Sequence, residues 1–257
     1  MDEFMQKYGP VALVTGASSG IGMSFARCLA AKGLDLVLVA RRIERLEALA
    51  DELTRQHGIA VHVHRIDLAD GDAAARILDL TAALDIGLLV SNAGTGTKSR
   101  FEDGDPRTMS ETLMVNCNAP MILAHGFVPR LRKRGNGGIL FTSSVEGLIG
   151  LPFSSVYSAT KGFMNSLGEA LWGELTPEGI DVLTLCPGAT DTERMQGAEP
   201  ANPQHVMSPD DVARLALENM RNGPIYIPSE HYRQSFEKLL ATPPREALAA
   251  MARAMKP

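Results

Sequence analysis

Val11-Ala-Leu-Val-Thr-Gly-Ala-Ser-Ser-Gly-Ile-Gly22 is the stretch whose reading decides the fold. Val11 to Thr15 is a short apolar run of the kind that forms a strand buried on both faces. A glycine-rich turn follows directly. It opens a helical stretch from about Ile21 to Lys32, with Gly33 placed to cap the C-terminus. In that context Gly16, Gly20 and Gly22 let the backbone approach a nucleotide pyrophosphate, and the helix N-terminus offers N–H groups and positive partial charge. Taken alone, the same glycines also fit a tight turn without a ligand, so the rest of the chain has to decide.

Outward from this turn, strand and helix patterns alternate. Leu34 to Ala40 is a second apolar strand, and Arg42 to His57 is amphipathic, with Ile43, Leu46, Leu49, Ala50 and Leu53 at helical spacing and Gly58 as its stop. Val61 to Ile66 reads as a strand, Asp72 to Leu84 as a helix and Ile86 to Ser91 as a strand. A long helix from about Thr108 to Arg134 precedes a strand at Gly138 to Thr142. A helix through Tyr157 to about Leu175 leads to a strand at Ile180 to Cys186, a helix at Asp210 to Met220 and a short strand at Ile225 to Ile227. This alternation predicts an α/β fold: a doubly wound, mostly parallel sheet of the Rossmann type, three layers α/β/α, with its ligand crevice at the carboxyl ends of the strands. No linker or repeat interrupts it, so residues 1–257 read as one dinucleotide-binding domain. The aperiodic segment 189–208, with Gly197, Pro200 and Pro203, reads as a lid.

Composition narrows the function classes. Apolar residues make up 45% and charged residues 21% of the 257 positions, and the net charge is −5, which argues against nucleic acid as a partner. The one basic cluster, Arg130, Arg132, Lys133 and Arg134, falls where a helix should end and reads as cations complementing a C-terminus. Cys28, Cys117 and Cys186 are odd in number and form no CxxC pair, which suits a reducing compartment; Cys186 reads as a buried strand-end thiol. His62 and His64 share one side of a strand without a partner at ligand spacing, so no metal is expected. The N-terminus lacks a signal pattern, and no window reaches the ~18 apolar residues of a membrane span. A cytoplasmic protein with no membrane partner is expected.

Tyr157 and Lys161 stand four residues apart, one helical turn, so a phenol and an ammonium share one helix face. A phenol of pKa ~10 is a poor base at neutral pH. An ammonium about 4 Å away, at an effective dielectric near 20, contributes roughly 4 kcal/mol, or about three pKa units. Such a pair suits proton exchange with an alkoxide while a nicotinamide exchanges hydride with the carbonyl.

Three residues separate Gly16 from Gly20, and that spacing resembles the short-chain dehydrogenase/reductase family in its short form of about this length. The resemblance spans roughly residues 10 to 190 and is carried by further motifs in the family's order: Asp67, Asn92-Ala93-Gly94, Asn116, Ser144, Tyr157, Lys161, and Pro187-Gly188 before Thr192. It implies a reversible hydride-transferring oxidoreductase. Ser18, Ser19 and Ile21 would join the three glycines around the pyrophosphate, and Asp67 with Leu68 would meet the adenine. Asn92, Ala93 and Gly94 would line the cofactor, and Pro187, Gly188, Thr190 and Thr192 would bind the nicotinamide carboxamide. Ser144 would hydrogen-bond the substrate oxygen, Tyr157 transfer the proton, Lys161 serve both the phenol and the ribose, and Asn116 kink its helix and hold a proton-relay water.

NADP(H) is expected over NAD(H). An NAD site carries an acidic residue at the end of the second strand, and here Val39-Ala40 is followed by Arg41-Arg42. Arg41 is the expected reader of the 2′-phosphate, with Arg42 entering the next helix and pointing to solvent; both also fit as the start of a charged helix with Glu44, Arg45 and Glu47. The substrate is expected to be a small, largely apolar ketone or secondary alcohol, steroid-like or fatty. Leu148, Leu151, Pro152 and Phe153 would line its pocket with Met195 and Met207 of the lid, Asp191, Glu193 and Glu199 would repel anions, and Glu146 would meet a polar substrate end. The Tyr157 helix is apolar on more than one face, which predicts a homodimer or homotetramer through it, unless the preceding long helix covers it. Two other readings compete. A non-catalytic dinucleotide sensor or scaffold on this fold usually lacks the Tyr or the Lys, and a sugar-nucleotide epimerase needs more than the roughly seventy residues after Cys186.

Overall fold

Apolar strands alternating with capped helices build one parallel sheet of seven strands in the order β3-β2-β1-β4-β5-β6-β7. These are β1 (Val11–Thr15), β2 (Asp35–Ala40), β3 (Val61–Arg65), β4 (Ile86–Ser91), β5 (Gly137–Thr142), β6 (Ile180–Leu185) and β7 (Ile225–Tyr226). The computed structural model describes residues 2–195 and 203–255. Its helices are α1 (Glu3–Tyr8), α2 (Gly20–Ala31), α3 (Ile43–His57), α4 (Ala73–Leu80), α5 (Pro106–Leu113), α6 (Ala119–Arg134), α7 (Ser155–Leu175), α8 (Pro209–Glu218), α9 (Glu230–Ala241) and α10 (Pro244–Ala254).

Side chains along each strand alternate between two cores. Ala12, Val14, Leu36 and Leu38 pack with Phe25, Leu46 and Val212 of α2, α3 and α8. Leu13, Val37, Val39 and Phe141 pack with Ile77, Phe127 and Met164 of α4, α6 and α7. Both faces of β1, β4, β5 and β6 are therefore covered, which is why these segments read as continuous apolar runs. Gly33 and Gly58 close α2 and α3 in left-handed conformations, as their positions in the sequence require.

Three differences from the sequence reading matter. The expected single helix over 108–134 is α5, a π-helical segment Met114–Asn118, and α6. The helix expected to reach Leu84 stops at Leu80, where Arg130 of α6 donates to the carbonyls of Leu78 and Thr81. Arg130 thus serves a helix end, while Arg132 pairs with Glu178 and Arg134 with Asp85. Finally, α1, α9 and α10 have no counterpart in the pattern reading; α1 is one and a half turns long, and α9 buries only Phe236.

Candidate active site

The sheet order puts a switch point between β1 and β4, and the loops leaving their carboxyl ends diverge to opposite faces. Thr15 laces the two ends together: its Oγ1 accepts from the N–H groups of Asn92 (3.0 Å) and Ala93 (3.2 Å), and Asn92 Nδ2 donates to its carbonyl (3.2 Å). The glycine turn sits over this seam. A Cβ on Gly22 would lie 2.3 Å from the Gly16 carbonyl oxygen, so the turn folds tightly on its helix only because that side chain is missing. At the N-terminus of α2 the cap residue Ser19 makes no side-chain bond to the helix, and the first turn holds no acid. A bare glycine floor and uncapped helical N–H groups fit a dinucleotide pyrophosphate.

After β2, Arg42 turns inward and Arg41 outward, the reverse of the orientations expected from the sequence. Arg42 Nε and Nη2 donate to Ser18 Oγ (3.2 and 3.1 Å), Nη2 also to Ser19 Oγ (2.6 Å), and Nη1 to Glu193 Oε2 (2.7 Å). Arg41 instead has a side chain 75% exposed, with Asp67 3.9 Å away. The cause is local. α3 begins at Ile43, and Arg42, with φ −92° and ψ 89°, is a non-helical cap whose side chain turns back over the glycine turn instead of out to solvent. Asp67 follows β3 and accepts from Ala69 N–H (3.1 Å), which shapes the loop that carries Leu68, itself buried.

Tyr157 and Lys161 lie in the first two turns of α7. Lys161 is 3% exposed; its Nζ donates to the Thr142 carbonyl at the end of β5 (2.8 Å) and lies 5.6 Å from the centre of the Tyr157 ring. A Cβ on Gly94 would come within 3.2 Å of that Nζ, so the loop after β4 passes against the ammonium. Ser144 closes β5 in extended conformation, and its Oγ accepts from Glu146 N–H (3.1 Å). Asn116, 1% exposed, lies inside the π-helical segment. Its Oδ1 accepts from Thr95 N–H and its Nδ2 donates to the Thr95 carbonyl, both at 2.8 Å, and Nδ2 also reaches Thr160 Oγ1 (3.0 Å). Thr160 Oγ1 in turn donates to the Tyr157 carbonyl (2.7 Å). The structure thus brings β4, β5, the π segment and α7 together around one phenol and one buried cation. Among the described residues no His, Cys, Asp or Glu cluster could hold a metal.

A family model for short chain dehydrogenase matches residues 10–203. The chain is a short-chain dehydrogenase. This short-chain dehydrogenase is 30% identical over 238 residues to the 7beta-hydroxysteroid dehydrogenase of Clostridium sardiniense, which covers 91% of each chain. Among solved structures, the short-chain dehydrogenase from Sphingobium yanoikuyae in complex with NADPH is 34% identical, with a TM-score of 0.82 over 94% of this chain and 96% of that one. The bulky-bulky ketone specific alcohol dehydrogenase from Comamonas testosteroni is 31% identical, with a TM-score of 0.81 over 95% and 94% of the two chains. The protein is therefore an oxidoreductase acting on CH–OH and C=O groups.

Phe153 and Tyr157 line a small cleft with Phe101 and Met109, two residues that no sequence motif marks. Phe153 holds a left-handed φ of 63°, and its carbonyl accepts from Ser99 N–H (2.9 Å). Leu148 packs against Val145, Cys186 and Phe236. Glu146 pairs with Lys98 (3.0 Å) and accepts from Ser154 Oγ (2.8 Å), which ties the loop after β4 to the start of α7. A groove of about 810 Å3 lies between the segment 147–152, the first turns of α7 and α10, where Leu148, Leu151 and Pro152 line it with Ala159, Gly162 and Leu248.

The 189–208 segment approaches the glycine turn. Thr190 and Met207 form an isolated bridge, Met195 is half-buried, and a Cβ on Gly20 would lie 3.0 Å from Thr192 Cγ2. Glu199, Gly197 and Pro200 lie outside the described residues. Pro187 accepts from Val145 N–H (3.1 Å), and the Tyr232 ring of α9 packs on Gly188, where a Cβ would meet it at 2.1 Å. Cys186 is fully buried beside Asn165, and burial pushes its thiol up to about 12, so it offers no thiolate nucleophile.

Proposed function

We propose that this oxidoreductase is NADPH-dependent and interconverts a largely apolar ketone and its secondary alcohol. The observation that carries the reading is the Tyr157–Lys161 pair, with its ammonium buried beside the ring and held by the end of β5. A bound nicotinamide supplies or accepts the hydride. Ser144 Oγ already accepts from a backbone N–H, so its own proton is turned to the substrate oxygen. Tyr157 gives its proton to the forming alkoxide, or takes one back in the oxidative direction, and Lys161 favours the phenolate by its charge. Asn116 acts as a positioning residue, because its amide is spent on Thr95 and Thr160; a relay water falls to the backbone loosened by the π segment.

Arg42, with Ser18 and Ser19, is the proposed 2′-phosphate seat, and Arg41 covers the adenine side beside Asp67. Phe101, Met109 and Phe153 form the proposed apolar wall of the substrate cleft, and the likeness to a hydroxysteroid dehydrogenase and a bulky-ketone dehydrogenase supports a bulky apolar ligand. The chain acts as one domain with residues 189–208 as its lid. The proposed assembly is a homo-oligomer that packs on the outward face of α7, where Phe163 is 40% exposed. Three free thiols suit the cytoplasm, and among the described residues no helix is long and apolar enough to cross a membrane.

The test is turnover of NADPH against a panel running from bulky apolar ketones to small 2-oxo acids. Fastest turnover is expected for the bulky ketones. A preference for a charged 2-oxo acid overturns the substrate class, and tight NADPH binding without turnover of any ketone favours the sensor.

A further inference from the structure

The lid carries a carboxylate that sits on the same cations as the proposed phosphate seat. Glu193 begins a short 3-10 turn right after Thr192, whose methyl group lies over Gly20. Its Oε2 accepts from Arg42 Nη1 at 2.7 Å, and its Oε1 pairs with Arg45. Arg42 meanwhile spends Nε and Nη2 on the hydroxyls of Ser18 and Ser19. One guanidinium therefore joins the glycine turn, at one edge, to the lid at the other. Hydrogen bonds from Arg42 first, and then Arg45, hold the Glu193 carboxyl below the usual carboxylate range, so it is fully charged at neutral pH. A carboxylate and a phosphate want the same planar fork of donors, and two anions cannot share it without repulsion.

We propose that Glu193 is a built-in competitor for the 2′-phosphate of the cofactor. Its carboxylate holds Arg42 and Arg45 until a 2′-phosphate takes them, so NADPH binds at the expense of the lid contact while NADH, which has a hydroxyl there, leaves that contact in place. Glu193 thereby sets how strongly the site discriminates between the two cofactors. The inference rests on the reading that Arg42 receives the phosphate.

Calorimetric titration with adenosine 2′,5′-bisphosphate and with 5′-AMP isolates this end of the site from the chemistry, and NADPH and NADH complete the set. Glu193→Gln keeps the shape and removes the charge. It is expected to tighten the bisphosphate and NADPH by roughly fivefold, the scale of an exposed ion pair, with 5′-AMP and NADH within about twofold of wild type. Unchanged or weaker bisphosphate binding in Glu193→Gln overturns the proposal, as does an equal gain for 5′-AMP. Arg42→Ala separates the two readings. If it leaves bisphosphate affinity intact, the phosphate seat itself is misassigned. If it weakens the bisphosphate while Glu193→Gln changes nothing, only the competition is wrong.

Discussion

At the scale of single residues, the proposed chemistry depends on one transferable proton. Tyr157→Phe removes it and leaves the ring, the helix and Lys161 in place, so turnover is expected to fall by ~10²–10⁴-fold with NADPH affinity nearly unchanged. Single-turnover kinetics beside fluorescence titration measure both, and near wild-type turnover would exclude Tyr157 as the acid. The proposed cofactor choice depends on another residue. Arg42→Ala removes a charged fork from Ser18, Ser19 and the proposed phosphate, and NADPH is expected to weaken by ~10-fold or more with NADH almost unaffected. Arg41→Ala, at a 75% exposed side chain, is expected to change the NADPH-to-NADH ratio by no more than about twofold. Equal losses of both cofactors in Arg42→Ala count against the assignment. A string of basic residues after β2 is legible in the sequence, but which arginine turns inward depends on where α3 starts, and a one-residue shift in a cap swaps the two.

Among the elements, the π-helical segment between α5 and α6 connects packing to the site. Asn116 makes three side-chain hydrogen bonds from a buried position, two of them to the backbone of Thr95 and one to Thr160 under Tyr157. Asn116→Ala leaves those partners unsatisfied, at a cost of about 2–3 kcal/mol. For a protein of this size that lowers the melting temperature by roughly 5–10 °C. Differential scanning calorimetry reads it, and an unshifted transition would mean that water replaces the amide at no cost. The helical period around Thr108 to Arg134 shows that a helix exists, but one residue of extra winding leaves no mark on an apolar pattern. α7 shows the reverse case. Its all-round apolar surface suggested a large external interface, yet Leu167, Leu171 and Trp172 pack into the chain's own core, leaving Phe163 with a narrow exposed stripe.

For the whole molecule, that stripe and the groove beside α10 are the surfaces that would bury a second copy. Phe163→Glu places a charge in the middle of the proposed interface while leaving the Tyr157 face of α7 untouched. Wild-type protein is expected to scatter light as a dimer or tetramer at micromolar concentration, and the variant to shift towards the ~28 kDa monomer. A wild-type protein that is monomeric throughout would remove the assembly from the account. The net charge of −5 is spread over a surface on which two arginines of the basic cluster are paired, Arg132 on Glu178 and Arg134 on Asp85, and this agrees with a small neutral ligand better than with a polyanion.

The seven strands and the helices between them, the parallel sheet, the glycine turn after β1 and the Tyr157–Lys161 pair were determined by sequence alone. Each is local: a strand covered on both faces must be apolar throughout, a left-handed helix stop takes glycine, and residues four apart on a helix share a face. The tertiary structure decided what joins distant segments. Arg42 meets Glu193 across 151 residues, Lys98 pairs with Glu146, Tyr232 of an unforeseen helix packs on Gly188, and Arg130 ends a helix other than its own. Charged side chains carry no period and no fixed spacing, and their partners are chosen by which loops the folded sheet brings together at its carboxyl edge.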